Sequence, residues 1–395
     1  MDDYNTSKEV SAFIEKHKAM PVADVVLKLH SKSNLPKEFI INQINGLQKL
    51  KSKLPEWQHV EGLVFPPKVS FEQCSSSDTA AYKSQFVKGM QCVVDLTGGF
   101  GVDAYYFSKK ADHVIYVEQS KQLSKLYAHN LQVLKASNVE VVNQTCEDWL
   151  TAPVQMKVDL VYVDPARRGS DNQKLYKIED CEPNVIELIP LIWHISEKAM
   201  IKFSPMIDLT SITRHLNGLK EIHVVSVKNE CKEVLALLEH DYVGDVPITC
   251  IDIKSKAVQK FVCQPTVAQQ PIYSEPQQYL YEPNASLMKA QCFDALASAF
   301  KIPKLSAHSH LYTSEGRVFD FPGRTFKIIG VCDYSEKVLK SSFKGLVAAN
   351  VTVRNFGESV ADVRAKLKLK DGGNIYIFAT STVLRKKLLV ICEPL

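Results

Sequence analysis

Cys92-Val-Val-Asp-Leu-Thr-Gly-Gly-Phe-Gly-Val-Asp-Ala-Tyr-Tyr-Phe-Ser108, a polar turn, and then Val114-Ile-Tyr-Val-Glu-Gln-Ser120 decide the fold. A short apolar run breaks into three glycines, Gly98, Gly99 and Gly101. A helical stretch follows, and a second apolar run closes on Glu118. This is half of a βαβ unit with a ligand-binding turn at its first strand end. Gly98 and Gly99 permit positive φ and let backbone N–H groups approach a ligand. An acid about 20 residues on, at the tip of the next strand, suits a ribose diol. Glu118 stands 17 residues after Gly101.

The glycines alone leave the ligand open. Gly99-Phe-Gly101 is followed by Ala104 where a dinucleotide fingerprint has its third glycine. That is an allowed variant, so a nicotinamide or flavin cofactor stays in play. Asp95, at the strand end ahead of the glycines, weighs against both. A carboxylate there repels a pyrophosphate but accepts hydrogen bonds from a cationic amino-acid moiety, which favours S-adenosylmethionine.

The stretch Asp95-Leu-Thr-Gly-Gly-Phe-Gly-Val-Asp103-Ala, with Glu118 and the later Val161-Tyr-Val-Asp164-Pro-Ala-Arg-Arg168, resembles motifs I, II and IV of class I methyltransferases. The chain as a whole resembles a bacterial family of such enzymes that carry a C-terminal THUMP-like domain. Motif I is also similar to that of the small-subunit rRNA guanine-N2 methyltransferases, whose glycine loop likewise ends in Gly-x-Asp-Ala. The resemblance implies an α/β fold: a Rossmann-like, seven-stranded class I methyltransferase sheet, an N-terminal helical region, and a small α+β THUMP-like domain. It also implies S-adenosyl-L-methionine as cofactor, bound by Asp95, Thr97, Gly98, Gly99, Gly101, Asp103 and Glu118. In such enzymes the segment before motif I folds over the methionine end of the cofactor, which marks Gln73, Ser75 and Ser76. Motif III sets an acid or amide against the adenine. If the third strand ends at Gln144, Thr145 and Cys146 hold that position here, and Glu147 and Asp148 arrive later.

At 395 residues, with 45% hydrophobic and 23% charged, the chain has room for two or three domains. No apolar run approaches the roughly 20 residues that a bilayer span requires. The opening Met-Asp-Asp-Tyr-Asn-Thr is not a basic segment followed by an apolar one, so a cytoplasmic protein is expected. Ten cysteines are scattered singly, with no Cys-x-x-Cys. They read as buried thiols in a reducing compartment rather than disulfides or a metal site, and no metal is expected. Residues 301–395 hold 16 Lys and Arg against 8 Asp and Glu, whereas residues 1–300 hold 32 against 36. A polyanion such as RNA would land on the basic end.

Punctuation divides the chain into an N-terminal helical region (1–65), a methyltransferase domain (66–263), a linker (264–284), a helical, ferredoxin-like connector (285–321) and a THUMP-like domain (322–395). The linker carries Pro265, Pro271, Pro276 and Pro283. Further sheet strands are expected at Val139 to Val142, Val158 to Val163, Ala199 to Phe203, Ile222 to Val227 and Val234 to Leu238. A helix is expected at about 208–217, and another from the cap Asn284 to about Phe300. The last domain reads as strand (Thr325 to Val331), helix (Ser335 to Phe343), strand (Ala349 to Arg354), helix (Ser359 to Leu369) and strands at Ile375 to Thr380 and Leu388 to Cys392.

In exocyclic-amine methyltransferases, motif IV supplies a side-chain acceptor and a backbone carbonyl to the amino group, the roles of Asp164 and Pro165 here. Their motif usually ends in an aromatic that stacks on the base, where this chain has Ala166-Arg167-Arg168. A guanidinium plane also stacks on a base or binds phosphate bidentately, so Arg167 and Arg168 join the candidate site. Lys202, Asp208, Asn229 and Glu230 fall at or near strand ends and are candidate lining for the acceptor pocket. Arg385, Lys386 and Lys387 form the last hairpin turn and are candidate RNA contacts. A cytosine- or uracil-C5 mechanism needs a nucleophilic cysteine in a setting such as Pro-Cys, and that dipeptide is absent. The expected activity is methylation of a base amino group in tRNA or rRNA, guanine N2 before adenine N6. A small-molecule or protein methyltransferase, and a non-catalytic RNA-binding protein with a methyltransferase fold, are the competing readings.

Overall fold

The computed structural model describes residues 7–395 apart from 31, 33, 154–155, 168–177, 256, 265–269, 336–344 and 385; of Arg167 only the backbone is described. Arg168, Arg385 and most of the helix expected at 335–343 lie outside the described residues. Two compact units emerge: Met1–Lys220 with Val234–Val243, and Glu221–Glu233 with Gly244–Leu395.

The first unit opens with α1 (Lys8–His17), α2 (Val22–His30) and α3 (Lys37–Lys53). The Ser7 hydroxyl accepts the Val10 N–H and caps α1. Val10, Phe13, Val25, Leu29, Ile40 and Ile44 bury one shared apolar face. Two short helices, α4 (Lys68–Gln73) and α5 (Ser77–Ser84), lead to the glycine loop. Trp57, Phe65 and Phe71 from this lead-in share a single core with Phe100, Val102 and Leu126 of the glycine-loop half. The division at residue 65 is therefore not a break in packing.

The alternating elements are β1 (Cys92–Asp95), α6 (Val102–Ser108), β2 (His113–Val117), α7 (Lys121–Leu134), β3 (Val139–Val142), α8 (Cys146–Leu150) and β4 (Leu160–Val163). A small hairpin of β5 (Ala166–Arg167) and β6 (Cys181–Glu182) precedes α9 (Val185–Ile192), β7 (Lys198–Phe203), α10 (Leu209–His215), β8 (Leu219–Val227) and β9 (Glu230–Glu239). β1 and β4 are buried at every position, which is why they read as unbroken apolar runs. Strand order is β3-β2-β1-β4-β7-β9-β8, the expected seven. It continues through β10 (Ile248–Ile253) and β11 (Val258–Cys263), making a nine-stranded sheet. β1 pairs in parallel with both β2 and β4, so the order reverses there and a crevice opens at the carboxyl ends.

The rest of the second unit contains β12 (Tyr279–Pro283), α11 (Ala285–Ala290), α12 (Phe293–Phe300), β13 (Tyr312–Ser314), β14 (Gly323–Asp333), β15 (Asn350–Arg354), α13 (Val360–Leu367), β16 (Tyr376–Ser381) and β17 (Lys387–Pro394). Its six-stranded sheet runs β13-β12-β14-β17-β16-β15. Tyr279–Pro283 is thus a sheet strand, and the linker ends sooner than expected. The single helix expected from Asn284 to Phe300 is two helices, because Gln291 takes a left-handed conformation (φ 57) that stops α11. Among the described residues, no helix is long and apolar enough to cross a membrane.

Candidate active site

A cavity of about 500 Å³ opens at the carboxyl ends of β1, β2 and β4, lined by the whole glycine loop together with Asp95, Glu118, Cys146, Glu147 and Asp164. Positive φ occurs at Gly99 (54°) and Gly101 (81°), not at Gly98. Gly98 is required for a steric reason instead: a Cβ there would overlap the Tyr116 ring, as one at Gly101 would overlap the Tyr127 ring. These two rings pack 4.2 Å apart as the floor of the loop, and the Tyr116 hydroxyl donates to the Gly99 carbonyl at 2.6 Å.

Glu118 is fixed at the tip of β2, its two oxygens accepting the N–H groups of Gly99 (2.8 Å) and Ser120 (2.7 Å). Thr97 ties motif I to motif IV. Its N–H donates to Asp95 Oδ1 at 3.0 Å, while its hydroxyl accepts the Asp164 N–H at 2.6 Å.

Asp95 and Asp103 are both buried, yet their carboxyls shift in opposite directions. Burial, and then the neighbouring Asp103 carboxylate, push Asp95 well above the usual carboxylate range. Burial would raise Asp103 too, but Lys83, then Lys202, Ser75 and Tyr162, outweigh it and hold this carboxyl below that range. Ser75 Oγ (2.8 Å) and the Tyr162 hydroxyl (2.9 Å) donate to Asp103 Oδ2, and the fully buried Lys83 Nζ lies 3.3 Å from Oδ1. Asp103 therefore lines the cavity with its charge already compensated, whereas burial and the neighbouring carboxylate disfavour the charged form of Asp95.

Ser70, Gln73, Cys74 and Ser75 of the α4–α5 segment also line the cavity. Ser76 instead caps α5, accepting the Thr79 N–H. Of the pair expected at the adenine end, Cys146 lines the cavity, whereas the Thr145 hydroxyl accepts the Asp148 N–H at 3.0 Å and caps α8. Asp164 Oδ2 is ion-paired with Lys202 Nζ. Pro165 is buried behind it. The backbone of Arg167 pairs with Cys181, a hairpin that delivers Glu182 and Pro183 to the cavity. Sequence reasoning missed Glu182, Pro183, Lys83 and Tyr162. The last carried a signal, a phenol inside an otherwise apolar strand two residues before Asp164.

Other expected pocket residues have structural employment. Asp208 caps α10 through the Thr210 N–H (3.0 Å). Glu230 is ion-paired with Lys232 at 2.7 Å. Asn229 must be corrected: it belongs to the second unit and does not line the cavity. Lys228 (φ 51) and Asn229 (φ 64) make the left-handed two-residue turn between β8 and β9, a position that favours Asn. The Asn229 N–H donates to Asp252 Oδ1 (2.9 Å), and its side-chain oxygen accepts the Ala285 N–H (2.8 Å) at the start of α11.

In the C-terminal sheet Lys386 and Lys387 are exposed at the β16–β17 hairpin, with the Lys387 ammonium 5.2 Å over the Phe356 ring. Part of the basic charge is paired locally: Lys366 with Glu358 (2.8 Å) and Arg364 with Asp371 (2.6 Å).

Comparison with known proteins adds three family models: "Conserved hypothetical protein 95" over residues 82–183, a ferredoxin-like domain over 279–322, and a THUMP domain-like model over 323–394. The ferredoxin-like match begins where β12 begins. A crystal structure of a "putative methyltransferase" from Porphyromonas gingivalis W83 is 31% identical over 98% of each chain, with a TM-score of 0.86. An "Uncharacterized RNA methyltransferase" of Thermotoga maritima is 29% identical over 125 residues, which is 30% of this chain and 28% of the length of that relative.

Proposed function

This chain belongs to the family of class I methyltransferases with a THUMP-like C-terminal domain, and from that premise we propose that it methylates RNA with S-adenosyl-L-methionine, on an exocyclic amino group of a base in tRNA or rRNA. Guanine N2 is favoured over adenine N6 by the Gly-x-Asp-Ala ending of motif I. The observation that carries the cofactor reading is the cavity itself: a glycine cradle that side chains would fill, an uncompensated Asp95, and a Glu118 carboxylate held rigid at the ribose position. When bound, S-adenosyl-L-methionine supplies an electrophilic sulfonium methyl.

Each residue has a task in that scheme. Glu118 accepts from the ribose hydroxyls, and Asp95 faces the ammonium of the amino-acid end. Cys146 borders the adenine. Asp164 and the Pro165 carbonyl hold the acceptor amine for an in-line approach, where most of the rate comes from proximity and electrostatics. Arg167 and Arg168 supply guanidinium groups where related enzymes stack an aromatic. The basic C-terminal domain, with Arg385, Lys386 and Lys387 at its hairpin, holds the RNA. RNA as the acceptor is supported by the likeness to an RNA methyltransferase of Thermotoga maritima and by the THUMP-like match. The cytoplasm is the compartment that the free thiols suit.

Mass spectrometry of nucleosides from total RNA of a deletion strain tests the proposal. Loss of one amino-methylated nucleoside, restored by the purified protein with S-adenosyl-L-methionine, is the expected result. An unchanged nucleoside profile would move the acceptor to a small molecule or a protein.

A further inference from the structure

Lys202 has no part in the scheme above, yet its ammonium is paired with Asp164, the carboxylate assigned to the acceptor amine. β4 and β7 pair in parallel with Val163 opposite Ile201, so the residues that come next, Asp164 and Lys202, stand side by side at the carboxyl edge. Their side chains form an ion pair in which Lys202 is 12% exposed and Asp164 29%. A surface lysine in such a pair would need no explanation, because exposed pairs contribute little. A lysine drawn this far out of water costs desolvation that a branched apolar residue would avoid.

The surroundings say what the cation is for. Asp95, Asp103 and Glu118 line the same cavity, and an isolated Asp164 carboxylate would be driven away from them. Lys202 also lies in the field of Asp103 and of Lys53. The Asp164 backbone is pinned separately, through its N–H to the Thr97 hydroxyl at 2.6 Å. Main chain and Oδ2 are therefore both held, and among the described residues Oδ1 has no partner.

We propose that Lys202 is the positioning residue of methyl transfer, holding Oδ2 so that Asp164 presents Oδ1 to the amino group of the acceptor. The inference rests on the amine reading of the site given above. In the transfer, the nitrogen lone pair forms the N–C bond and the C–S pair leaves with sulfur. The proton shed by nitrogen passes to Oδ1 and on to water. A carboxylate free to rotate would meet the nitrogen in the productive orientation only part of the time.

The test uses the full chain, S-adenosyl-L-methionine with a labelled methyl, and RNA from a strain lacking the gene. Lys202→Met and Lys202→Arg are compared for kcat and for KM toward RNA, and each is titrated calorimetrically with S-adenosylhomocysteine. Lys202→Met is expected to lose on the order of 10- to 100-fold in kcat, the scale of a misplaced reactive group, with KM and cofactor affinity within a few-fold. Lys202→Arg, which keeps a donor for Oδ2, is expected to recover most of the rate. If Lys202→Met does not fold, Lys202→Leu, which likewise offers no donor to Oδ2, takes its place. A kcat within threefold of wild type, no recovery in Lys202→Arg, or a cofactor affinity falling in step with kcat would each overturn the inference. Wild-type protein that labels no RNA would instead sink the amine reading beneath it.

Discussion

Removing the Glu118 carboxylate is the most direct probe of the cofactor site. In the protein, its two oxygens already accept the Gly99 and Ser120 N–H groups at 2.8 and 2.7 Å, so the group is fixed before any ligand arrives. A carboxylate oxygen has lone pairs for more than one donor, and both oxygens remain able to take a ribose hydroxyl. Losing that pair of charge-assisted hydrogen bonds costs about 2 to 4 kcal/mol. At 1.4 kcal/mol per decade, S-adenosylhomocysteine affinity is expected to fall roughly 30- to 1,000-fold in Glu118→Ala. Glu118→Gln is expected to fall between the two, because one amide oxygen can serve Gly99 or Ser120 but not both. Calorimetric titration measures the affinity, and circular dichroism confirms that the variants are folded. A folded Glu118→Ala that binds within threefold of wild type would refute the ribose assignment.

Asp164→Ala is expected to abolish methyl transfer with cofactor affinity within a few-fold, and a tenth or more of the wild-type rate would show that motif IV only shapes the loop. Asp95 makes a prediction about pH. Its folded carboxyl binds a proton more tightly than the unfolded one, so its contribution to stability is complete below the ordinary carboxylate range and is lost as pH rises through the raised value. A cofactor ammonium favours the ionised form, so binding is expected to release protons and to strengthen with pH across that window. Titration in buffers of different ionisation enthalpy reads the protons, and an equal release in Asp95→Asn would refute the assignment. Neutralising Arg385, Lys386 and Lys387 is expected to weaken all RNA sequences alike and to lower the slope of log K against log[salt] by up to roughly 2 to 3. Unchanged affinity and slope in filter-binding titrations would take the hairpin out of RNA contact.

The sheet was legible because its central strands are buried on both faces and so spell continuous apolar runs. β10 and β11 were harder to read. β10 ends in Asp252-Ile253, with a buried aspartate whose partners are Ser226 in β8 and Asn229 in the β8–β9 turn, and β11 alternates exposed Val258, Lys260 and Val262 as an edge strand does. β12 was hidden by Pro276 just before it and Pro283 at its own end, and no sequence signal marks Gln291 as left-handed. In the site, Asp95, Glu118 and Asp164 could be named because each ends a strand. Lys83 could not, since its only visible feature is a helical position, and its meaning comes from Asp103 twenty residues later. Asn229 is ambiguous in sequence because the same residue type serves tight turns and polar sites, and its left-handed turn settles it as the former.

Phe100, at the heart of the glycine loop, borders the cavity and also packs its ring into the core made by Trp57, Phe65 and Phe71. The glycine loop is thus the roof of one chamber and the floor of another. A chain trimmed to begin at residue 66, where sequence punctuation invites the cut, would lose Trp57 and Phe65. Water would then reach the underside of Phe100, and the glycine loop would slacken from behind with every other cavity-lining residue still in place. Helix α3 and the segment after it are in this sense the back wall of the candidate site, although none of α1 to α3 lines its cavity.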